Sequence, residues 1–209
     1  MTSTLLFCLG TFAQVESLPH AKKRAVYGNG YYVNPSEYNY EQVAKDITQG
    51  TESKYEQAKL IYLWLCANIS YDLAPNDVRS ADKAWTERKA VCQGYCELFY
   101  RMAETLKLKT DLVYGRGRNS KGHMEDHSWL TVKTEQGEIL MDPTWGAGSV
   151  VNGKFQRIKD PLVWFDVDPE TFIHTHLPQN KKHQHLKVLV TEEGFDSLEY
   201  VRPTLKSEE

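Results

Sequence analysis

Cysteine is scarce in this sequence, and that scarcity sets the first limit. The 209 residues hold four: Cys8, Cys66, Cys92 and Cys96. If Cys8 leaves with a leader, three remain, an odd number that does not suit a complete disulfide framework. At least one thiol then stays free even in an oxidising compartment. A basic excess is also missing: 25 Lys and Arg stand against 28 Asp and Glu, a net charge of -3. That argues against nucleic acid as a partner, since such binders usually carry a basic face. No apolar run is long enough for a transmembrane span. Internal repeats and low-complexity tracts are absent as well. What is present is the balance of a globular chain, 41% hydrophobic and 25% charged. Its length suits one domain with tails and a core that needs no covalent staples.

The start of the chain stands apart. Thr4–Ala13 reads TLLFCLGTFA, a short apolar run ending in small residues, and Gln14 onward turns polar. It has the apolar and cleavage portions of a secretory signal without the basic stretch before them. The run is either the remnant of a signal over residues 1–13 or an ordinary N-terminal apolar element. The signal reading is preferred, and it makes the protein secreted or periplasmic. Phe7 is a poor neighbour for a lipid-attachment cysteine at Cys8. Residues 14–38 hold Pro19, the solvated cluster Lys22-Lys23-Arg24 and a Gly/Asn/Tyr-rich stretch, so an extended arm is expected there.

Helical signals follow. Asn39 with Gln42 has capping-box spacing, Val43, Ala44 and Ile47 share a face, and Gly50 fits the stop. Ser53 with Glu56 repeats the cap, and Ala58, Ile61, Tyr62, Leu65, Cys66 and Ile69 then recur at helical spacing. On that apolar stripe Cys66 is expected to be buried and inert. Pro75, Asn76 and Asp77 mark a turn. Cys92 to Lys107 reads as a third helix with Leu98, Phe99, Met102 and Leu106 on its apolar face. The period then changes to two. A strand begins at Leu112–Tyr114, a polar loop is expected over 115–126, and strands are expected over 127–133 and 138–142 around the Gln136-Gly137 turn. Asn152-Gly153 inside VVNGKF signals a hairpin. Helices first and antiparallel strands after give an α+β class, N-terminal helices packed on an antiparallel sheet.

Three residues on these elements carry chemistry when taken together. Cys92 sits where a loop enters a helix, facing unpaired N–H groups and the positive end of the helix dipole, both of which favour the thiolate. Its own N–H is placed to hold an oxyanion. His127, at a strand edge, can serve such a thiol as base and then as acid. Asp142, at the end of the neighbouring strand, can fix the imidazole tautomer. Singly, each has a plain reading: a buried structural cysteine, a loop histidine, an Asp-Pro turn.

The surrounding segments bear a resemblance. AVCQGYCELFYRMAETLKL resembles the cysteine segment of the transglutaminase-like superfamily, HSWLTV its histidine segment and MDPTWG its aspartate segment, in the right order across about residues 55–150. WFDVDPETFIHTHLPQ resembles a stretch that follows the core in bacterial and kyphoscoliosis-peptidase-type members. The resemblance implies a papain-like, transglutaminase-core fold and thioester chemistry, with Cys92 as nucleophile, His127 as base and Asp142 as orienting acid. It makes 39–180 the catalytic domain and 181–209 a C-terminal strand and polar tail.

The sequence departs from the family at Cys96, where Ala is usual. One helical turn from Cys92, Cys96 is either a small core residue or a resolving thiol, a redox partner. Trp129 and Trp145 flank the base and the acid as wall or core aromatics. Tyr71 and Gln93 are the remaining site-lining or oxyanion candidates, and His123 competes as base only if its loop folds inward. His174 alternates with His176, and His183 with His185, but no cysteine or carboxylate stands at ligand spacing. They are read as solvated histidines, so no metal and no cofactor is expected. The expected function is cysteine-dependent acyl transfer on amide bonds of a peptide or protein, cell-wall peptide included. Hydrolysis is favoured over lysine cross-linking. The alternative is a silent binding module on the same fold. Oligomeric state is left open.

Overall fold

The computed structural model describes residues 39–74 and 78–205. The expected leader, the arm over 14–38 and the turn over 75–77 lie outside the described residues. Helix α1 (Tyr40–Ile47) starts as its cap dictates, with the Asn39 side chain accepting the Gln42 N–H at 2.8 Å. Helix α2 (Lys54–Asn68) starts at Ser53, whose hydroxyl accepts from the Glu56 N–H at 3.2 Å. Between them Gly50 turns the chain at φ 96°, a conformation other residues rarely adopt. The first turn of α2 is also held from outside. The Glu135 carboxylate accepts from the N–H groups of Lys54 and Tyr55, at 3.0 and 3.4 Å, and from the Ser53 hydroxyl. A negative charge at a helix N-terminus is favourable, and here it ties α2 to the far end of the sheet.

The chain then forms β1 (Ser70–Tyr71), α3 (Ala81–Glu87), β2 (Lys89–Ala90) and α4 (Cys92–Thr105). β1 and β2 pair in parallel, and this short ladder delivers the chain to the start of α4. Gly94, in the first turn of α4, has no alternative: a Cβ there would fall on the Val78 carbonyl. Leu98, Phe99 and Met102 of α4 are fully buried, as the helical spacing predicts. Each such side chain contributes about 1.5–3 kcal/mol on leaving water.

Four antiparallel strands make the sheet, in the order β5 (Gly137–Met141), β4 (Met124–Thr134), β3 (Lys109–Arg118), β8 (His176–Pro178). The expected α+β class therefore holds, with helices packed on an antiparallel sheet. The expected polar loop over 115–126 does not. β3 runs on to Arg118 and β4 begins at Met124, so His127 lies inside a strand and does not open one. The polar residues are strand residues because distant partners satisfy them. Arg116 pairs with Asp196 at 2.8 Å, and Arg118 donates to the Phe195 and Leu198 carbonyls.

After β5 come a short helix α5 (Pro143–Ala147), the hairpin β6 (Gly148–Val151) and β7 (Lys154–Arg157) around Asn152-Gly153, a 3-10 turn (Pro161–Trp164) and α6 (Pro169–Phe172). Where a C-terminal strand is expected within 181–209, the described residues, through 205, hold a 3-10 turn (Lys181–Gln184) and helix α7 (Glu192–Ser197). The Thr191 hydroxyl caps α7 by accepting the Gly194 N–H at 3.0 Å, and fully buried Phe195 anchors it against Ile173 and Leu177. No helix among the described residues is long and apolar enough to cross a membrane.

Candidate active site

Cys92 is the first residue of α4, a helix whose cap, Val91, offers no side-chain oxygen. The first N–H groups of α4 therefore lack an intrahelical carbonyl, and the thiol sits at the positive end of the helix dipole. Cys92 is half-buried and opens on a cleft of about 730 Å³. His127 reaches it from β4. Pairing of His127 with Gly115 and Asp126 with Arg116 sets its face, and the missing side chain of Gly117 leaves it room: a Cβ there would stand 3.0 Å from the His127 Cβ and 3.2 Å from the first ring carbon. Asp142 follows β5, where its backbone N–H bonds the Trp164 carbonyl at 2.9 Å. Its carboxylate caps α5, one oxygen accepting the N–H groups of Thr144 and Trp145 at 2.8 and 3.1 Å. The Asp-Pro pair, whose plain reading is a turn, is a helix cap whose carboxylate also meets His127.

The other oxygen, Oδ2, lies 2.8 Å from Nε2 of His127. With Nε2 committed there, Nδ1 is the nitrogen left for the thiol. The His127 ring and the Ser128 N–H both act on the Cys92 sulfur in favour of its thiolate. Burial pushes the Cys92 thiol up, and the Asp142 charge adds to that. The His127 imidazole and the Ser128 N–H outweigh both, so the thiol ionises below its ordinary value. Burial alone would depress His127, but the charge and hydrogen bond of Asp142, with help from Cys92, push it up to about 10. Burial would raise Asp142, yet the two imidazoles facing it hold it well below the usual carboxylate range. The three groups are therefore biased towards thiolate, imidazolium and carboxylate.

The other candidates separate. Trp145 lines the cleft and stacks on His127, ring centroids 4.8 Å apart. Tyr71 also lines it, half-buried on β1. The cleft wall as described does not include Gln93 or Trp129. Trp129 is fully buried, its ring edge-on to Phe172 and to His176. His123 is an exposed residue of the cleft rim. Cys66 is buried beside the Pro143 carbonyl, and burial pushes its thiol up. Cys96 is fully buried with its thiol raised, first by burial and then by the nearby Asp142 and Cys92 charges. Cys66, Cys92 and Cys96 are all free thiols.

Two polar groups at the site escaped sequence reasoning. The Thr144 hydroxyl is a buried donor on the cleft wall without a protein partner. His176, read as solvated, is 1% exposed, and its Nε2 lies 3.2 Å from the same Oδ2 of Asp142. The alternation His174–His176 misled because the strand starts only at His176. His174 sits before it and bonds the Glu199 carbonyl at 2.8 Å. Burial pushes His176 down to about 4, with His127 assisting and Asp142 opposing. His127, Asp142 and His176 place ligand-type atoms within 4.8 Å of one another. Both imidazoles meet the same carboxylate oxygen, Oδ2 of Asp142, at 2.8 and 3.2 Å.

Comparison with known proteins gives the family. The chain is 29% identical over 168 residues to the human kyphoscoliosis peptidase and 32% identical over 161 residues to the mouse protein. Both alignments cover 70% of this chain but only 24% of the relative, so the chain spans about a quarter of the length of either. Among solved structures, the periplasmic domain of TgpA from Pseudomonas aeruginosa aligns at a TM-score of 0.42 and 18% identity, over 63% of this chain and 49% of that one. A family model described as the transglutaminase-like superfamily matches residues 41–169, more than half of the sequence and the whole stretch from α1 through Asp142, and the chain belongs to that superfamily.

Proposed function

We infer that this chain is a cysteine hydrolase of amide bonds, a peptidase or amidase, working through a thioester on Cys92. The observation that carries the reading is one imidazole held between a thiol and a buried carboxylate, in a cleft large enough for a peptide segment. The thiolate attacks the amide carbonyl carbon, a C–S bond forms and the oxygen becomes an oxyanion. The N–H of Cys92, in the first turn of α4, is available to that charge. Collapse breaks the C–N bond, and the His127 imidazolium gives its proton to the departing amine. Neutral His127 then takes a proton from water as the hydroxyl attacks the thioester, releasing the acid and restoring the thiolate–imidazolium pair.

The walls suit an extended peptide. Polar residues from Asn119 to Asp126 line the cleft together with the β6–β7 hairpin, where Val150 and Val151 are 43% and 40% exposed. Apolar and polar residues lining one cleft fit a strand that alternates side chains. Acidic Glu125 and Asp126 share the cleft with Lys121 and Arg202, so neither charge sign is selected. The secreted or periplasmic setting rests on the Thr4–Ala13 run alone. A peptide-library digest compares the intact protein with Cys92→Ala, with and without an added primary amine. Cleavage that needs Cys92 and yields free acid supports the hydrolase. Amine-capped product in place of acid makes it a transamidase. Equal cleavage by both proteins removes the enzyme reading.

A further inference from the structure

His176 enters the site from the far edge of the sheet, on β8, opposite Gly117 of β3. Its Nε2 lies 3.2 Å from Oδ2 of Asp142, and its Nδ1 lies 2.8 Å from the Thr175 hydroxyl. Phe172 stacks on its ring at 3.9 Å and 5°, while Trp129, Trp145 and Trp164 stand around its edges. So precise a cage around a polar ring calls for a role.

Proton counting gives one. A carboxylate oxygen only accepts, so Nε2 of His176 carries hydrogen. The titratable groups facing this ring are Asp142 and His127, beside the Thr175 hydroxyl and the aromatic rings. A second cation beside the His127 imidazolium, shut off from water, is unfavourable. His176 is therefore neutral, its Nδ1 bare, and the Thr175 hydroxyl donates to that nitrogen. The Phe172 carbonyl, 3.0 Å from the same hydroxyl, is the competing acceptor. Asp142 then holds four donors: two backbone N–H groups on Oδ1 and two imidazole N–H groups on Oδ2. Such a carboxylate has no rotation left.

We propose that His176 is a positioning residue: by donating Nε2–H to the oxygen that Asp142 shares with His127, it fixes the direction in which the His127 ring meets Cys92. The assignment rests on Cys92, His127 and Asp142 being the working trio.

The test needs no substrate, so a failed digest and a failed His176 assignment can be told apart. In the full chain labelled with nitrogen-15 histidine, His176 at neutral pH shows a protonated Nε2 and a bare Nδ1. A protonated Nδ1 overturns the proposal. The rate at which iodoacetamide alkylates Cys92 is then compared among His176→Phe, His176→Gln and the intact protein. His176→Phe keeps a ring for Phe172 but has no donor. It slows alkylation roughly ten- to hundredfold, the usual loss on removing an outer hydrogen-bond partner. It also moves the pH at which His127 loses its proton upward, because Asp142 with one donor fewer pulls harder on that proton. His176→Gln, with an amide N–H at similar reach, restores most of the rate. A ring that merely fills space predicts the opposite pattern: no shift in His127, and Gln no better than Phe. Should His176→Phe fail to fold, Thr175→Val decides. It removes the hydroxyl at Nδ1 in an isosteric side chain, which weakens the Nε2–H donor, and it shifts His127 upward relative to the intact protein; no shift overturns the proposal.

Discussion

The imidazole of His127 lies face to face with the indole of Trp145, centroids 4.8 Å apart and planes 22° from parallel. An aromatic face attracts a cation, so the stack favours the protonated ring, by about 0.5–2 kcal/mol. Trp145→Leu is expected to slow Cys92 alkylation roughly tenfold, and Trp145→Phe only slightly. Equal rates for Leu and Phe would show that the ring face does not matter.

Replacement of the sulfur is the most direct test. Cys92→Ala is expected to lower amide cleavage by a factor on the order of 10⁴ or more while melting near the parent, because only a half-buried thiol is lost. Peptide mapping after brief alkylation of the native protein places label on Cys92 and leaves Cys66 and Cys96 unmodified until the chain unfolds. Early label on Cys96 would restore the resolving-thiol reading.

Asp142→Asn keeps an acceptor for Thr144 and Trp145 but turns an amide N–H₂ towards two imidazole N–H donors. Loss of rate on the order of 10⁴ is expected from the wrong His127 tautomer. A stability loss of about 1–3 kcal/mol is expected from the buried donors left unpaired. Urea midpoints measured beside the rate separate the two; a normal rate would remove Asp142 from the machinery.

Stability against pH carries a signature of the thiolate–imidazolium pair. An unfolded histidine loses its proton near about pH 6.5, and folded His127 keeps it to about 10. The His127 share is whole below about 6.5 and drains away as pH rises. Cys92 works the other way: unfolded, it keeps its proton to about pH 8.5, whereas the folded thiol ionises earlier. Its share grows through that window, so the two offset each other. In Cys92→Ala the offset is gone, and stability falls above about pH 6.5 by up to about 1.4 kcal/mol per pH unit. On the acid side, the Asp142 share, present above about pH 3.9, is lost below it, and neutral His176 adds a cost once unfolded histidine protonates. Parallel urea midpoints for both proteins across the alkaline range would contradict the pair.

Gly94→Ala drives a methyl into the Val78 carbonyl at the first turn of α4. A loss of about 1–3 kcal/mol is expected, with slower Cys92 alkylation because the helix start must shift. Unchanged melting would mean that the Val78 segment yields freely.

What could be read from sequence was local. Asn39 and Ser53 cap the helices they announce, Asn152-Gly153 turns its hairpin, and Cys92 opens α4 because the segment around it is a motif. What could not be read depended on partners far along the chain. The arginines of β3 look like loop residues until Asp196 and the Leu198 carbonyl, 80 residues on, are placed beside them. His176 looks solvated because no local pattern tells of Asp142, 34 residues earlier, or of the aromatic rings that converge on it. The short helix α5 hid behind Asp-Pro, a pair that reads equally as a turn.

Asp142 holds two offices, as cap of α5 and as aim for His127, and this bears on how such a site decays over generations. A descendant freed from selection for turnover can shed the sulfur at almost no structural penalty, whereas losing the carboxylate leaves up to four donors unpaired, three of them in buried bonds. Inactive offspring of this lineage should therefore be recognisable by an aspartate that outlives its cysteine.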